Sequence, residues 1–128
     1  IRREAVRFIT DQRILDRIAL QYRKNDHIVR EEAVSRLMDQ EILALFASNA
    51  DEYDGVRNRA LYHLDDQDLL ISIFTDAHKK AKLALRRTVF AKLSDESLER
   101  LRTQSDDPAV LMSARVRLGY TSWEQGID

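Results

Sequence analysis

The sequence predicts an all-α fold, an α–α superhelix of about five two-helix repeats. Three observations carry this. A six-residue pattern recurs along the chain, beginning at Ile1, Val29, Val56, Leu85 and Val110. Apolar residues within each copy follow helical spacing, and strand alternation is absent. Only three Gly and one Pro occur in 128 residues, of which 34% are charged. So few Gly and Pro disfavour a barrel, a sandwich or a Gly-rich phosphate loop.

The copies begin Ile1-Arg2-Arg3-Glu4-Ala5-Val6, Val29-Arg30-Glu31-Glu32-Ala33-Val34 and Val56-Arg57-Asn58-Arg59-Ala60-Leu61. Leu85-Arg86-Arg87-Thr88-Val89-Phe90 is a degenerate fourth, and Val110-Leu111-Met112-Ser113-Ala114-Arg115 a fainter fifth without the Arg. The starts lie 28, 27, 29 and 25 residues apart. In the second copy Val29, Ala33, Val34 and Leu37 form one helical stripe at i, i+4, i+5 and i+8. The ninth position is apolar throughout: Ile9, Leu37, Leu64, Leu93 and Leu118.

A second helix follows in each copy. It opens with Asp11-Gln12, Asp39-Gln40, Asp66-Gln67 and Asp95-Glu96, and continues with Ile14-Leu15, Ile42-Leu43 and Leu69-Leu70. The fourth copy keeps Leu98 and Leu101 here. Each Asp stands where an N-cap is wanted, accepting from free N–H groups and opposing the positive end of the helix dipole. Turns rich in Asn and Asp separate the copies, at Asn25-Asp26, at 49–55 and at Asp106-Asp107-Pro108, where Pro108 suits a helix start. One such pair of short helices cannot bury both apolar faces, whereas stacked copies cover one another. The expectation is one repeat domain over 1–128, open to being part of a longer array. A terminal cap is expected from Ser122 and Trp123.

The Val-Arg-x-x-Ala-Val-x-x-Leu pattern, the following Asp and the acidic turn together resemble the HEAT-repeat families, particularly the short HEAT-like repeats of the phycobilisome-lyase type. The resemblance covers nearly the whole chain. It implies a HEAT-like solenoid with the Val-Arg helices on the concave face. It also implies that the repeated Arg pairs with an Asp of the preceding turn: Arg30 with Asp26, Arg57 with Asp54 and Arg86 with Asp76. The repeat type alone raises an accessory role in chromophore attachment, which no residue here supports.

The net charge of −1 hides an uneven distribution. Taken as 1–9, 29–37, 56–64, 79–93 and 109–118, the Val-Arg helices hold fifteen of the 21 bases and three acids, Glu4, Glu31 and Glu32. From Ala77 to Ser94 there are six bases and no acid. The resemblance to HEAT-like stacking implies that the third, fourth, seventh and eighth positions of each copy face solvent. They place Arg36, His63 and Lys92 in one column, continued by Arg117. With Arg7, Arg59, Tyr62 and Arg87 they form the candidate partner-binding surface. Its simplest alternative is an ordinary solvated helix face.

A basic concave face suits an acidic protein segment, because Arg matches carboxylates and Tyr packs well at interface centres. The reading is therefore a non-catalytic scaffold with a protein partner. The alternative is nucleic-acid binding, including kinship with HEAT-like DNA glycosylases, although a sequence pI near 6.4 is far from the usual basic domain. No catalytic residue is expected: no Ser, Thr or Lys has the company of an activated nucleophile. No metal or other cofactor is expected either. There is no Cys, the three His are far apart, and 49–55 fails as a calcium loop at Tyr53 and Gly55. No signal peptide and no membrane-length apolar run appear, so the expected location is cytoplasmic.

Overall fold

A computed structural model of the chain describes residues 3–21, 26–80 and 82–119, apart from the side chains of His78 and Lys79. All regular structure among the described residues is helical: α1 (Arg3–Val6), α2 (Gln12–Leu20), α3 (His27–Val34), α4 (Gln40–Ser48), α5 (Asp54–His63), α6 (Gln67–Lys79), α7 (Leu83–Ala91), α8 (Asp95–Gln104) and α9 (Pro108–Leu118). The even-numbered helices pack on the odd-numbered helix that follows: α2 on α3, α4 on α5, α6 on α7 and α8 on α9. Helices α1, α3 and α5 stack side by side in one layer, and α4 and α6 in the other. This is an all-helical repeat arrangement. No helix among the described residues is long and apolar enough to cross a membrane.

The repeat pattern becomes the core directly. Ala33, Ala60, Val89 and Ala114, the fifth positions of copies two to five, are fully buried. Small or β-branched residues there let neighbouring helices approach closely. From the second helices come Leu15, Leu43, Leu70 and Leu98, each almost wholly inaccessible. Burying one such side chain contributes roughly 1.5–3 kcal/mol.

Asp11, Asp39 and Asp66 cap α2, α4 and α6 as expected, accepting from Arg13 N at 2.9 Å, Glu41 N at 2.9 Å and Leu69 N at 3.1 Å. The fourth copy differs. Ser94, not Asp95, is the N-cap of α8, and its hydroxyl accepts from Ser97 N at 3.2 Å. Copy four begins one residue late but has one residue fewer before its cap, so Asp95 stands at the place held by Gln12, Gln40 and Gln67. The segment 79–93 is also not one helix: α6 runs to Lys79 and α7 begins at Leu83. Lys79 therefore belongs to α6 and Lys80 to the turn after it, while Lys82 is the N-cap residue of α7. The expected cap around Trp123 lies outside the described residues.

The Gln after each cap ties its repeat to the next. Gln12 donates from Nε2 to Arg36 O (3.1 Å) and accepts from Met38 N (3.0 Å). Gln67 donates to Lys92 O (3.2 Å) and accepts from Ser94 N (2.9 Å) and from the buried Ser97 hydroxyl (2.7 Å). Gln40 does the same with the copy that follows it. An amide side chain, donor and acceptor at once, satisfies both groups of a turn that no helix can pair.

The repeated Arg follows the resemblance only in part. Arg57 pairs with Asp54 and also donates to Asn49 O and Ala50 O. Arg30 does not take Asp26, which instead caps α3 by accepting from Val29 N at 2.9 Å. Its buried guanidinium donates to Ala19 O at 2.9 Å and to the buried carboxylate of Glu52, in the turn before the next copy. Asp76 pairs with Lys80 at 3.3 Å.

Candidate binding surface

The expected surface divides into three parts. Two of its arginines are partnered across the stack. Arg7 Nε lies 3.2 Å from Glu32 and Arg59 Nε 3.3 Å from Glu31, so α3 supplies acids to both neighbours. Gly55 leaves room for this: a Cβ there would stand 2.5 Å from the Glu31 carboxylate. These pairs are partly exposed, and such pairs contribute little stability, typically below about 1 kcal/mol. They do interrupt the basic strip at α3.

The eighth-position column splits in two. Lys92 reaches back to the carbonyls of Leu61 and Tyr62 at the end of α5, and Asp65 lies 3.9 Å from its Nζ. Burial lowers the Lys92 pKa, while Asp65 acts in the opposite sense. Arg117 repeats the device one copy on, donating to Phe90 O at 3.0 Å and Leu93 O at 3.2 Å, with its guanidinium over the Phe90 ring. A cation at these carbonyls satisfies the exposed C-terminal end of a helix. Lys92 and Arg117 thus act as inter-repeat caps; Lys92 is half-buried by this, against the expectation, while Arg117 stays exposed. Arg36 and His63 make no such reach; His63 meets the Tyr62 ring edge-on at 5.0 Å.

Tyr62 and Arg87 are exposed but on opposite sides of α7. Tyr62, 76% exposed, stands over the space between α5 and α7. Arg87 faces α9, in a cavity of about 240 Å3 shared with Arg86, Phe74, Phe90 and Ser113. The structure therefore does not gather the expected residues into one site.

Sequence reasoning missed the groove between α5 and α7. It encloses about 530 Å3, with Leu61, Leu83, Leu85 and Ala84 along it and Asp54, Arg57, Asn58, Lys82 and Thr88 at its edges. Leu83 is 54% exposed and Leu85 only half-buried, although Val56, at Leu85's position in the preceding copy, is fully buried. The one available signal was the longest interval between copies, 29 residues, which falls here. No group of three or more potential metal ligands occurs among the described residues. The chain matches no family model, no curated protein and no solved structure.

Proposed function

We propose that the chain is a HEAT-like, non-catalytic scaffold that binds an acidic segment of a protein partner in the α5–α7 groove. The observation that carries this reading is the pairing of an open apolar floor with Lys82, a cation at its edge that has no acidic partner among the described residues. Leu83 and Leu85 offer apolar area, Tyr62 stands in the adjoining space, and Lys82 is the base that the stretch from Ala77 to Ser94 contributes to this groove. Burying an aliphatic side chain on that floor supplies the non-directional part of the affinity. The exposed Tyr62 beside it supplies area at low entropic cost. Carboxylates of the segment would meet Lys82, for which the structure shows no acidic partner among the described residues, whereas Arg57 is already paired with Asp54. Mechanism here means presentation: stacked helices hold these groups in fixed register, so little ordering is needed on binding.

The test is direct binding of a labelled peptide of alternating Glu and Leu to the chain and to two variants, Tyr62→Ala and Lys82→Glu. The expected result is saturable binding weakened at least tenfold in each variant, with an unchanged melting temperature. Equal affinity in all three proteins refutes the groove. Lys92 is unsuitable for such a test, since it holds the end of α5.

A further inference from the structure

The α1–α2 end of the stack shows unmet bonding of a specific kind. In copies two, three and four, the carbonyl at position eight and the N–H two residues on are both taken by the Gln of the preceding repeat. Gln12 serves Arg36 O and Met38 N, Gln40 serves His63 O and Asp65 N, and Gln67 serves Lys92 O and Ser94 N. The corresponding groups of the first copy are Phe8 O and Thr10 N, and no side chain among the described residues reaches them.

The apolar surface around these groups is open in the same sense. Ala5 is exposed, whereas the fifth-position residues of the other four copies are fully buried. Ala114 belongs to the last copy and is still inaccessible, so cover at this position comes from the repeat before. Ile14 is 43% exposed, while Ile42 and Leu69 at the same place are half-buried and Ser97 is buried against Gln67. The first copy thus displays the surface that every later copy hides against its predecessor.

We infer that this end is a stacking face for one further two-helix repeat, joined in series ahead of α1 and carrying Gln at the first position of its second helix. The occupant follows from continuity with the interface already repeated within the chain. The Gln supplies the donor for Phe8 O and the acceptor for Thr10 N, and its helices cover Ala5 and Ile14.

The test joins a second copy of residues 26–55 ahead of Ile1. This keeps the repeat register, because Ile1 then follows Gly55 as Val56 does. Urea unfolding and amide hydrogen exchange at Thr10 are compared with the parent chain and with Gln40→Ala in the appended copy only. The expected result is a single unfolding transition at higher urea and Thr10 exchange slowed roughly tenfold, as a well-made hydrogen bond in a covered site implies. Gln40→Ala in the appended copy returns Thr10 to fast exchange while the added helix content persists. A separate transition for the appended repeat with unchanged Thr10 exchange overturns the inference. So does concentration-dependent protection of Thr10 in the parent chain, which would mean that a second copy already fills the face.

Discussion

Gln40 and His63 are joined across the boundary between two repeats. Gln40 Nε2 donates to the His63 carbonyl at 3.1 Å, and its Oε1 accepts from Asp65 N at 2.7 Å and Asp66 N at 2.9 Å. One side chain thereby settles three backbone groups of the turn between α5 and α6. Gln40→Ala leaves all three without a protein partner, and a loss of about 1–3 kcal/mol is expected. Urea denaturation measures it, and a loss within error of zero would show that water replaces the amide without cost.

The buried pair of Arg30 and Glu52 gives an asymmetric prediction. Arg30→Met strands a carboxylate that has no access to water, at a cost of about 3–5 kcal/mol. Arg30→Met combined with Glu52→Leu should recover much of that loss, since the apolar pair carries no desolvation penalty. Equilibrium unfolding of the single and double variants forms the cycle. Additive losses would mean that the two groups act independently.

The register of the fourth repeat is tested at two adjacent residues. Ser94→Ala removes the α8 cap and is expected to cost about 1 kcal/mol. Asp95→Ala removes only a first-turn charge and should cost a few tenths of that amount. The reverse order of thermal stabilities would restore Asp95 as the cap.

Asp16 carries a pH dependence. Its Oδ1 is buried without a hydrogen-bond partner, and burial, followed by the nearby charge of Asp39, raises its pKa above the ordinary 3.8. The folded state therefore holds this proton more tightly than the unfolded chain does. The resulting stability is fully present below 3.8 and is lost as pH rises through the raised folded value. At neutral pH Asp16→Asn removes a partly buried charge and should stabilise the chain slightly, by less than it would in a dry core because solvent screens much of the charge. Thermal unfolding from pH 3 to pH 7 should show that gain shrinking towards the acid end. A gain independent of pH would place its origin elsewhere.

The repeated fold was legible because its signals are local. Asp39 before Ile42-Leu43, or Ala33 four residues after Val29, constrain one helix and need no knowledge of its neighbours. The site was less legible because its residues act between repeats. Lys92 and Arg36 share a repeat position, yet one bonds the carbonyls of the preceding helix and the other does not. Glu52 looked like any acid in a polar turn, since its partner Arg30 lies 22 residues earlier. Ser94 was passed over because alignment from the start of the fourth copy places Asp95 under the earlier aspartates. The α5–α7 groove left only an irregular spacing in the sequence, with no residue type to mark it.

The central claim, an acidic protein segment held between α5 and α7, is tested most directly by parallel titrations. One uses the labelled Glu-Leu peptide. The others use mixed-sequence single- and double-stranded DNA and RNA, at low and near-physiological salt. The account predicts saturable peptide binding that persists at near-physiological salt, because apolar contact contributes, and that falls in Lys82→Glu. Nucleic acid should bind weakly or not at all. Saturable nucleic-acid binding that weakens steeply with salt, as release of counterions from phosphates dictates, together with no binding of the peptide, would contradict it.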